Sequence, residues 1–148
     1  MALIYLLDTN ILSEVTRSVP NPTVLARLQA HAEQIAIATV TWHELWFGLL
    51  KLPVSRKRDV IEGFLLETAQ KMPILPYERT AAEWFAHERA RLTQIGRPPA
   101  YSDGQIAAIT ATHNLILVTR NTADFAHFAG LRMENWFEIA GSPPPLHD

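Results

Sequence analysis

Short apolar runs separated by stretches with helical spacing constrain the fold of this chain more than any other feature. The runs are ALIYLL at 2–7, IAIATV at 35–40, MPILP at 72–76 and LILVT at 115–119, with LRMEN at 131–135 as a weaker fifth candidate. Runs this short and this rich in Ile, Leu and Val are typical of parallel strands covered on both faces. The alternation with helices predicts an α/β fold with a parallel sheet of four to five strands.

The segments between these runs carry apolar residues at helical spacing. Helices are predicted over 22–34, 41–52 and 79–95. Residues 53–72 add a further helix, so two helices come in succession before the third strand. We expect this additional helix pair to form an interaction surface.

At 148 residues the chain is long enough for one compact core. We expect one domain over 1–140, followed by an extended, proline-rich tail at 141–148. The absence of cysteine excludes a disulfide scaffold and a thiolate metal site. With no apolar stretch of membrane-spanning length and no basic leader, the sequence predicts a cytoplasmic protein that does not enter a membrane. A net charge of -2 argues against coating nucleic acid by bulk electrostatics, although a local basic rim remains compatible.

Three acids are predicted at the same edge of the sheet. Asp8 follows the first strand, Glu44 lies in the helix after the second strand, and Asp103 opens the helix that leads into the fourth. Open parallel sheets bind their ligands at the carboxyl ends of the strands. Two carboxylates about 5 Å apart repel by about 3 kcal/mol at an effective dielectric near 20, so such a cluster calls for a cation. Oxygen ligands alone favour Mg²⁺, with Mn²⁺ possible, over Zn²⁺.

Helix capping is the alternative explanation for each acid. Asp8 is placed to cap a helix, and TWHE at 41–44 and SDGQ at 102–105 both have the pattern of a capping box. Capping explains each acid singly. It does not require Asp8 and Asp103 to share one end of the sheet, and for this reason we favour a metal site.

Four segments together resemble the PIN-domain ribonucleases, and in particular toxins of VapC type: LLDTNILSE, TVTWHELWFGL, YSDGQIAAIT and LVTRNTADF. The resemblance runs from about residue 3 to residue 135, in the order and spacing of that family. It implies a three-layer fold and a metal-dependent endoribonuclease with Asp8, Glu44 and Asp103 as catalytic carboxylates. Thr9 and Asn10 would then shape the turn beside the metal.

The same resemblance implies partners. It predicts a homodimer that acts on structured cellular RNA, such as transfer or ribosomal RNA. It also predicts a small antitoxin that fills the groove over the acids and binds the DNA of the operon.

The chain departs from the family where many members carry a fourth acid. Asn121 occupies that position here, and Asp124 follows one helical step later. Asp124 either points inward to supply the missing charge or caps the segment TADFAHF; the sequence leaves both open. We assign Thr119 and Asn121 as hydroxyl and amide supports of the site.

Two arginines are candidates for RNA contact. Arg97, in the proline-containing loop before Asp103, and Arg120, next to Asn121, are expected on the same edge as the acids and are predicted to bind flanking phosphates.

Two other classes of function remain open from the residues alone. A different Mg²⁺- or Mn²⁺-dependent phosphoester hydrolase or DNA nuclease would use the same carboxylates. A catalytically weak interaction module with this fold is the second, because Asn121 carries no charge.

Overall fold

Five strands form the parallel sheet in the computed structural model, which describes residues 2–139. The strands are β1 (Tyr5–Leu7), β2 (Ile35–Ala38), β3 (Ile74–Leu75), β4 (Ile116–Val118) and β5 (Met133–Glu134), in the spatial order β3-β2-β1-β4-β5. All four pairings are parallel. The predicted α/β fold with its parallel sheet is confirmed, including the weak fifth strand. The tail predicted at 141–148 lies outside the described residues.

In the described residues, six helices and a 3₁₀ turn connect and cover the strands. They are α1 (Thr9–Val15), α2 (Pro22–Ala30), α3 (Thr39–Leu50), α4 (Arg56–Lys71), α5 (Arg79–Gln94), α6 (Tyr101–Thr112) and the 3₁₀ turn (Thr122–Phe125). Within the described part of the chain, no helix has the length and apolarity needed to cross a membrane.

The core has two halves, one on each face of the sheet. Successive residues of a strand point to opposite faces, so Leu6 packs with residues of α5 and α6 while Leu7 packs with residues of α1, α3 and α4. Both leucines are fully buried. The result is the predicted three-layer arrangement, with β1 at the centre of the middle layer.

The structure corrects where two helices begin. Helix α3 begins at Thr39 after Ala38, and α6 begins at Tyr101 after Ala100; neither preceding residue caps its helix with a side chain. TWHE and SDGQ are therefore not capping boxes, and Glu44 lies in the second turn of α3 rather than the first. Both helices start directly where the chain leaves a buried strand or a proline-containing loop, so tertiary context sets their starts.

Candidate active site

Asp8 is nearly buried at the end of β1 and is hydrogen-bonded on both oxygens. Its Oδ1 accepts from the Thr9 backbone N–H at 2.8 Å, and its Oδ2 accepts from the Thr119 hydroxyl at 2.8 Å and the Asn10 amide at 3.2 Å. Burial raises the pKa of Asp8, and these three donors oppose that rise. A carboxylate offers about four acceptor positions, so the protein leaves Asp8 about one for an external ligand. Asp8 thus caps α1 and also belongs to the site.

Asn10 and Thr119 are held in the orientation that serves Asp8. The Asn10 Oδ1 accepts from the Arg120 backbone N–H at 3.1 Å, which leaves the amide nitrogen of Asn10 facing Asp8. The fully buried Thr119 donates to Asp8 and accepts from the Asn121 backbone N–H at 3.0 Å. These bonds connect the ends of the adjacent strands β1 and β4.

Glu44 reaches the site from α3, where it is half-buried. Its Oε2 accepts a hydrogen bond from the Thr9 hydroxyl at 3.1 Å. Thr9 therefore contacts two of the three acids: its backbone N–H bonds Asp8 and its side chain bonds Glu44.

Asp103 faces the site from the first turn of α6 and accepts no hydrogen bond from any other residue within 2–139. Burial and the neighbouring charges of Asp8, Asp124 and Glu44 together raise its pKa from 3.8 to about 6. Repulsion from carboxylates on three other elements means that these acids are close enough to influence one another. A carboxyl group without a protein donor among like charges is suited to binding a cation.

The acids line one cleft of about 410 Å³, hereafter the acid cleft. Its walls are Asp8, Thr9, Asn10, Ser13, Glu44, Ser102, Asp103, Ile106 and Asn121. Sequence reasoning missed Ser13, Ser102 and Ile106. Helical spacing alone would have found two of them, since Ser13 lies about one turn after Thr9 and Ile106 one turn after Asp103. A separate apolar groove of about 270 Å³ between α1, α2 and α4 contains none of the predicted catalytic residues.

The remaining acid, Asp124, lies in an adjoining cavity of about 250 Å³ that it shares with Asp103 and Arg97. It does not cap a helix: the 3₁₀ turn is preceded by Asn121, without a side-chain capping bond. The charge of Asp124 contributes to the raised pKa of both Asp8 and Asp103. The contribution of Asp124 to the site therefore stays a prediction.

The two arginines differ in where their side chains lie. Arg97 lines the cavity beside Asp103, and its Nη1 lies 3.0 Å from His127 Nε2. The Arg120 guanidinium instead lies over the Phe137 ring, 4.5 Å from its centroid, while the Arg120 backbone bonds Asn10.

The oxygen atoms of these side chains are suited to bind a divalent cation, but the side chains are spread apart. Within residues 2–139, no three His, Asp or Glu side chains are close enough together to hold one ion by themselves. Mg²⁺ is commonly held by one or two carboxylates, with water and substrate phosphate completing its coordination. Asp8 with its remaining acceptor position and Asp103 without a donor meet that requirement.

Residues 5–131 of the chain match the model of the PIN domain family. The tRNA(fMet)-specific endonuclease VapC of Shigella flexneri is 35% identical over 133 residues, which are 89% of this chain and 97% of that protein. DNA-bound VapBC from Salmonella typhimurium superposes with a TM-score of 0.80 and 26% identity, covering 90% of this chain and 98% of the other. A toxin-antitoxin complex from Klebsiella pneumoniae gives a TM-score of 0.69 and 27% identity, over 91% and 99% of the two chains.

Proposed function

Since the chain belongs to the PIN-domain family, we propose that it is a divalent-metal-dependent endoribonuclease, and specifically a toxin that a cognate antitoxin neutralises. The observation that carries this proposal is the acid cleft, where Asp8, Glu44 and Asp103 come together from β1, α3 and α6. The similarity to a VapC endonuclease and to a toxin-antitoxin complex supports the ribonuclease activity and the partner.

Asp8 and Asp103 are the residues best suited to hold the ion, with Asn121 as an uncharged oxygen ligand at the rim of the acid cleft. Mg²⁺ or Mn²⁺, when bound, supplies an acidified water and charge compensation for phosphodiester hydrolysis. The three donors to Asp8 fix its carboxylate before the ion arrives, which reduces the entropy lost on binding. Because the pKa of Asp103 is about 6 without metal, binding near that pH releases a proton from this residue.

Glu44 is the candidate for orienting the attacking water. The Thr9 hydroxyl occupies its Oε2, so its Oε1 remains available to accept a hydrogen bond. No histidine is required as a general base, since neither His43 nor His113 lines the acid cleft. His43 stacks against Phe47, and His113 Nδ1 contacts the Ile109 carbonyl at 2.9 Å.

RNA contact is proposed for Arg97 and Arg120, from opposite ends of the site. Arg97 lies on a loop stiffened by Pro98 and Pro99, and its backbone N–H bonds the Leu92 carbonyl at 2.8 Å. The backbone of Arg97 is therefore held in place, and its side chain lines the cavity that contains Asp103. Arg120 would have to leave the Phe137 ring to reach a phosphate. Structured RNA is the proposed substrate, supported by the relative named as specific for a transfer RNA.

A two-fold dimer through α3 and α4 is also proposed. Large apolar side chains at least half exposed are concentrated on this part of the molecule: Phe47, Leu50, Val54, Val60 and Leu66. A small protein rarely leaves so many exposed together without a partner. Sedimentation at tens of micromolar should give the mass of a dimer, and a monomer without antitoxin would contradict this part of the proposal.

The test of the proposed function is cleavage by matched charge-removing variants. Asp8→Asn, Glu44→Gln and Asp103→Asn should each reduce RNA cleavage in Mn²⁺ to background while remaining folded. Asp59→Asn, on the exposed surface of α4, is the control and should cleave like the unaltered protein. Offering RNA, single-stranded DNA and a phosphate monoester in parallel separates an endoribonuclease from the other hydrolases. Full RNA cleavage by the Asp103→Asn protein would exclude the site.

A cognate antitoxin should inhibit the unaltered protein by covering the acid cleft. The proposal places its inhibitory peptide there and its DNA-binding part outside, in keeping with the DNA-bound VapBC structure. If RNA is neither cut nor bound but the antitoxin still binds, the interaction-module alternative is correct. We place the protein in the cytoplasm, where RNA and antitoxin are both available.

A further inference from the structure

A smaller pocket opens beside the acid cleft, between α1, α3 and α4. It has a volume of about 140 Å³, and Ser13 and Glu44 line both this pocket and the acid cleft, so the two cavities adjoin. Most of its wall is aliphatic, formed by Leu45, Leu49, Leu52, Ile61 and Leu65. A group bound in this pocket would therefore lie directly beside the reacting phosphate.

Gly48 leaves this pocket open. It lies in α3 one turn after Glu44, on the same face of the helix, and it lines the pocket. A Cβ built at this glycine meets no atom within 4 Å, so no close packing requires the missing side chain. Its backbone is not among the glycines with positive φ, which are Gly96 and Gly130. Alanine is more stable than glycine within a helix, so helix stability alone would favour a larger residue here.

The size and chemistry of the pocket match one single-ring base. A cavity of about 150 Å³ lined by aliphatic and aromatic side chains accepts one benzene ring, so this pocket has room for the single ring of a pyrimidine, whereas part of a purine would lie outside it. Its polar groups are the hydroxyls of Ser13 and Thr16 and the carboxylate of Glu44. Thr16 donates to the Ser13 carbonyl at 2.8 Å, which leaves its oxygen as an acceptor for the edge of a base.

We propose that the pocket around Gly48 binds the base of one unpaired pyrimidine nucleotide adjacent to the phosphodiester that is cleaved. The identification of the ligand as RNA rests on the proposed function. Unpaired bases that splay out of loops are the usual targets of sequence-specific RNA recognition. The pocket residues of α3 lie on the face opposite Phe47 and Leu50, so a contact through those two side chains would not cover this wall of the pocket.

Binding of free nucleosides tests the pocket without any cleavage. Uridine should perturb the methyl NMR signals of Leu49, Leu52 and Ile61 at millimolar concentration, and adenosine should not. Gly48→Leu should abolish the perturbation by filling the pocket, and Gly48→Ala should weaken it. Gly63→Ala is the matched control, because a Cβ at this helical glycine of α4 also meets nothing within 4 Å. Both alanine variants should gain thermal stability, but only the one at position 48 should lose uridine binding.

Cleavage of an RNA with a randomised single-stranded stretch tests the consequence for specificity. The unaltered protein and Gly63→Ala should cut with a preference for a pyrimidine of about tenfold or more at one position beside the cut. Gly48→Leu should lose the preference while still cutting at purine-containing sites, and Gly48→Ala, which fills less of the pocket, should retain part of it.

The outcomes separate the pocket from the proposed activity. If no RNA is cut but uridine binds selectively, the proposed function fails and the pocket stands as a pyrimidine site. If uridine binds no better than adenosine, or the pyrimidine preference survives in Gly48→Leu, the inference is wrong. Weaker antitoxin binding by Gly48→Leu with an unchanged base preference would assign the pocket to the antitoxin instead.

Discussion

The two walls of the acid cleft hold their carboxylates by different means. The strand wall, made of Asp8, Thr9 and Asn10 and supported by Thr119, directs three hydrogen-bond donors at one carboxylate. The helix wall, made of Ser102, Asp103 and Ile106 on α6, gives Asp103 no donor from the described residues. Its position comes from the packing of α6 against α5, where Gly104 approaches the Phe85 ring.

The strand wall controls the orientation of its carboxylate, whereas the helix wall controls only the position of its carboxylate. Hydrogen bonds on the strand wall fix the direction of both Asp8 oxygens, and they do so between residues 111 positions apart. Packing on the helix wall fixes where Asp103 lies but leaves its charge uncompensated, and its pKa rises to about 6. The strand wall is thus prepared for a ligand in advance, whereas the helix wall depends on the ligand to neutralise it.

The largest expected loss of stability comes from disturbing the contact between Gly104 and Phe85 that positions the helix wall. A Cβ at Gly104 would lie 2.0 Å from two atoms of the Phe85 ring, so Gly104→Ala forces α5 and α6 apart. We expect a loss of about 3 kcal/mol in the free energy of unfolding, at the upper end of the cost of overpacking. Denaturant unfolding measures this loss, and RNA cleavage should fall because Asp103 moves with α6.

A second substitution in the same contact shows whether the cause is steric. Phe85→Leu in the Gly104→Ala background should recover part of the lost stability, giving a positive coupling in a double-mutant cycle. Gly63→Ala should instead gain about 0.5–1 kcal/mol, as expected for an open helical glycine. If Gly104→Ala proved as harmless as Gly63→Ala, packing would not position the helix wall.

The strand wall was the more predictable of the two from the sequence. An acid directly after an apolar run indicated Asp8, because residues that follow a buried strand lie at the sheet edge where ligands bind. The partner Asn10 was predicted through the resemblance to the PIN-domain ribonucleases, whereas Thr119 ends a second apolar run. The parallel sheet followed from the same runs.

The helix wall was less predictable, because packing decides it. SDGQ resembles a capping box, yet Gly104 serves the approach of α6 to Phe85, a contact between helices that no local pattern encodes. The start of α3 was misplaced for the same reason: Thr39 begins the helix without a polar cap. No range was predicted for the short helix α1, although Asp8 was considered as a helix cap, and Ser13 of that helix was missed.

Thr119→Val, which alters the strand wall, should cause the next largest loss of stability. Valine keeps the shape of threonine but removes the donor to Asp8 and the acceptor for the Asn121 N–H. Leaving such buried groups without partners should cost about 2 kcal/mol. Thr119→Ser keeps the hydroxyl and is the control. Equal losses of cleavage in the two variants would mean that the methyl group, rather than the hydrogen bond, matters.

The raised pKa of Asp103 predicts a pH dependence of stability in metal-free buffer. The folded state holds this proton up to about pH 6, whereas the unfolded chain releases it near 3.8. The stability from Asp103 is therefore complete below about pH 4, falls as the pH rises to 6, and is absent above it. Asp103→Asn does not titrate and should become the more stable protein by about 1 kcal/mol at pH 7.5, after allowance for solvent screening.

Melting temperatures of the two proteins between pH 4.5 and 7.5 measure this effect. Glu14 and Glu88 have lowered pKa values because of Arg17 and Arg91, so both proteins should lose stability in acid. Taking the difference between the proteins at each pH removes that shared contribution. A difference that does not grow between pH 4.5 and 7.5 would contradict the raised pKa of Asp103.

Asp124→Asn should have the smallest effect on stability, but it tests whether one residue acts on both walls. Its charge contributes to the raised pKa of Asp8 and of Asp103, so its removal should lower the pKa of Asp103 slightly, as carboxyl NMR titration can measure. The same loss of charge should weaken cation binding and raise the Mg²⁺ concentration needed for half-maximal cleavage. Asn121→Asp adds a carboxylate at the rim of the acid cleft and should lower that concentration. If neither substitution alters the Mg²⁺ requirement while Asp59→Asn is equally silent, the site works with three carboxylates and Asp124 has no part in it.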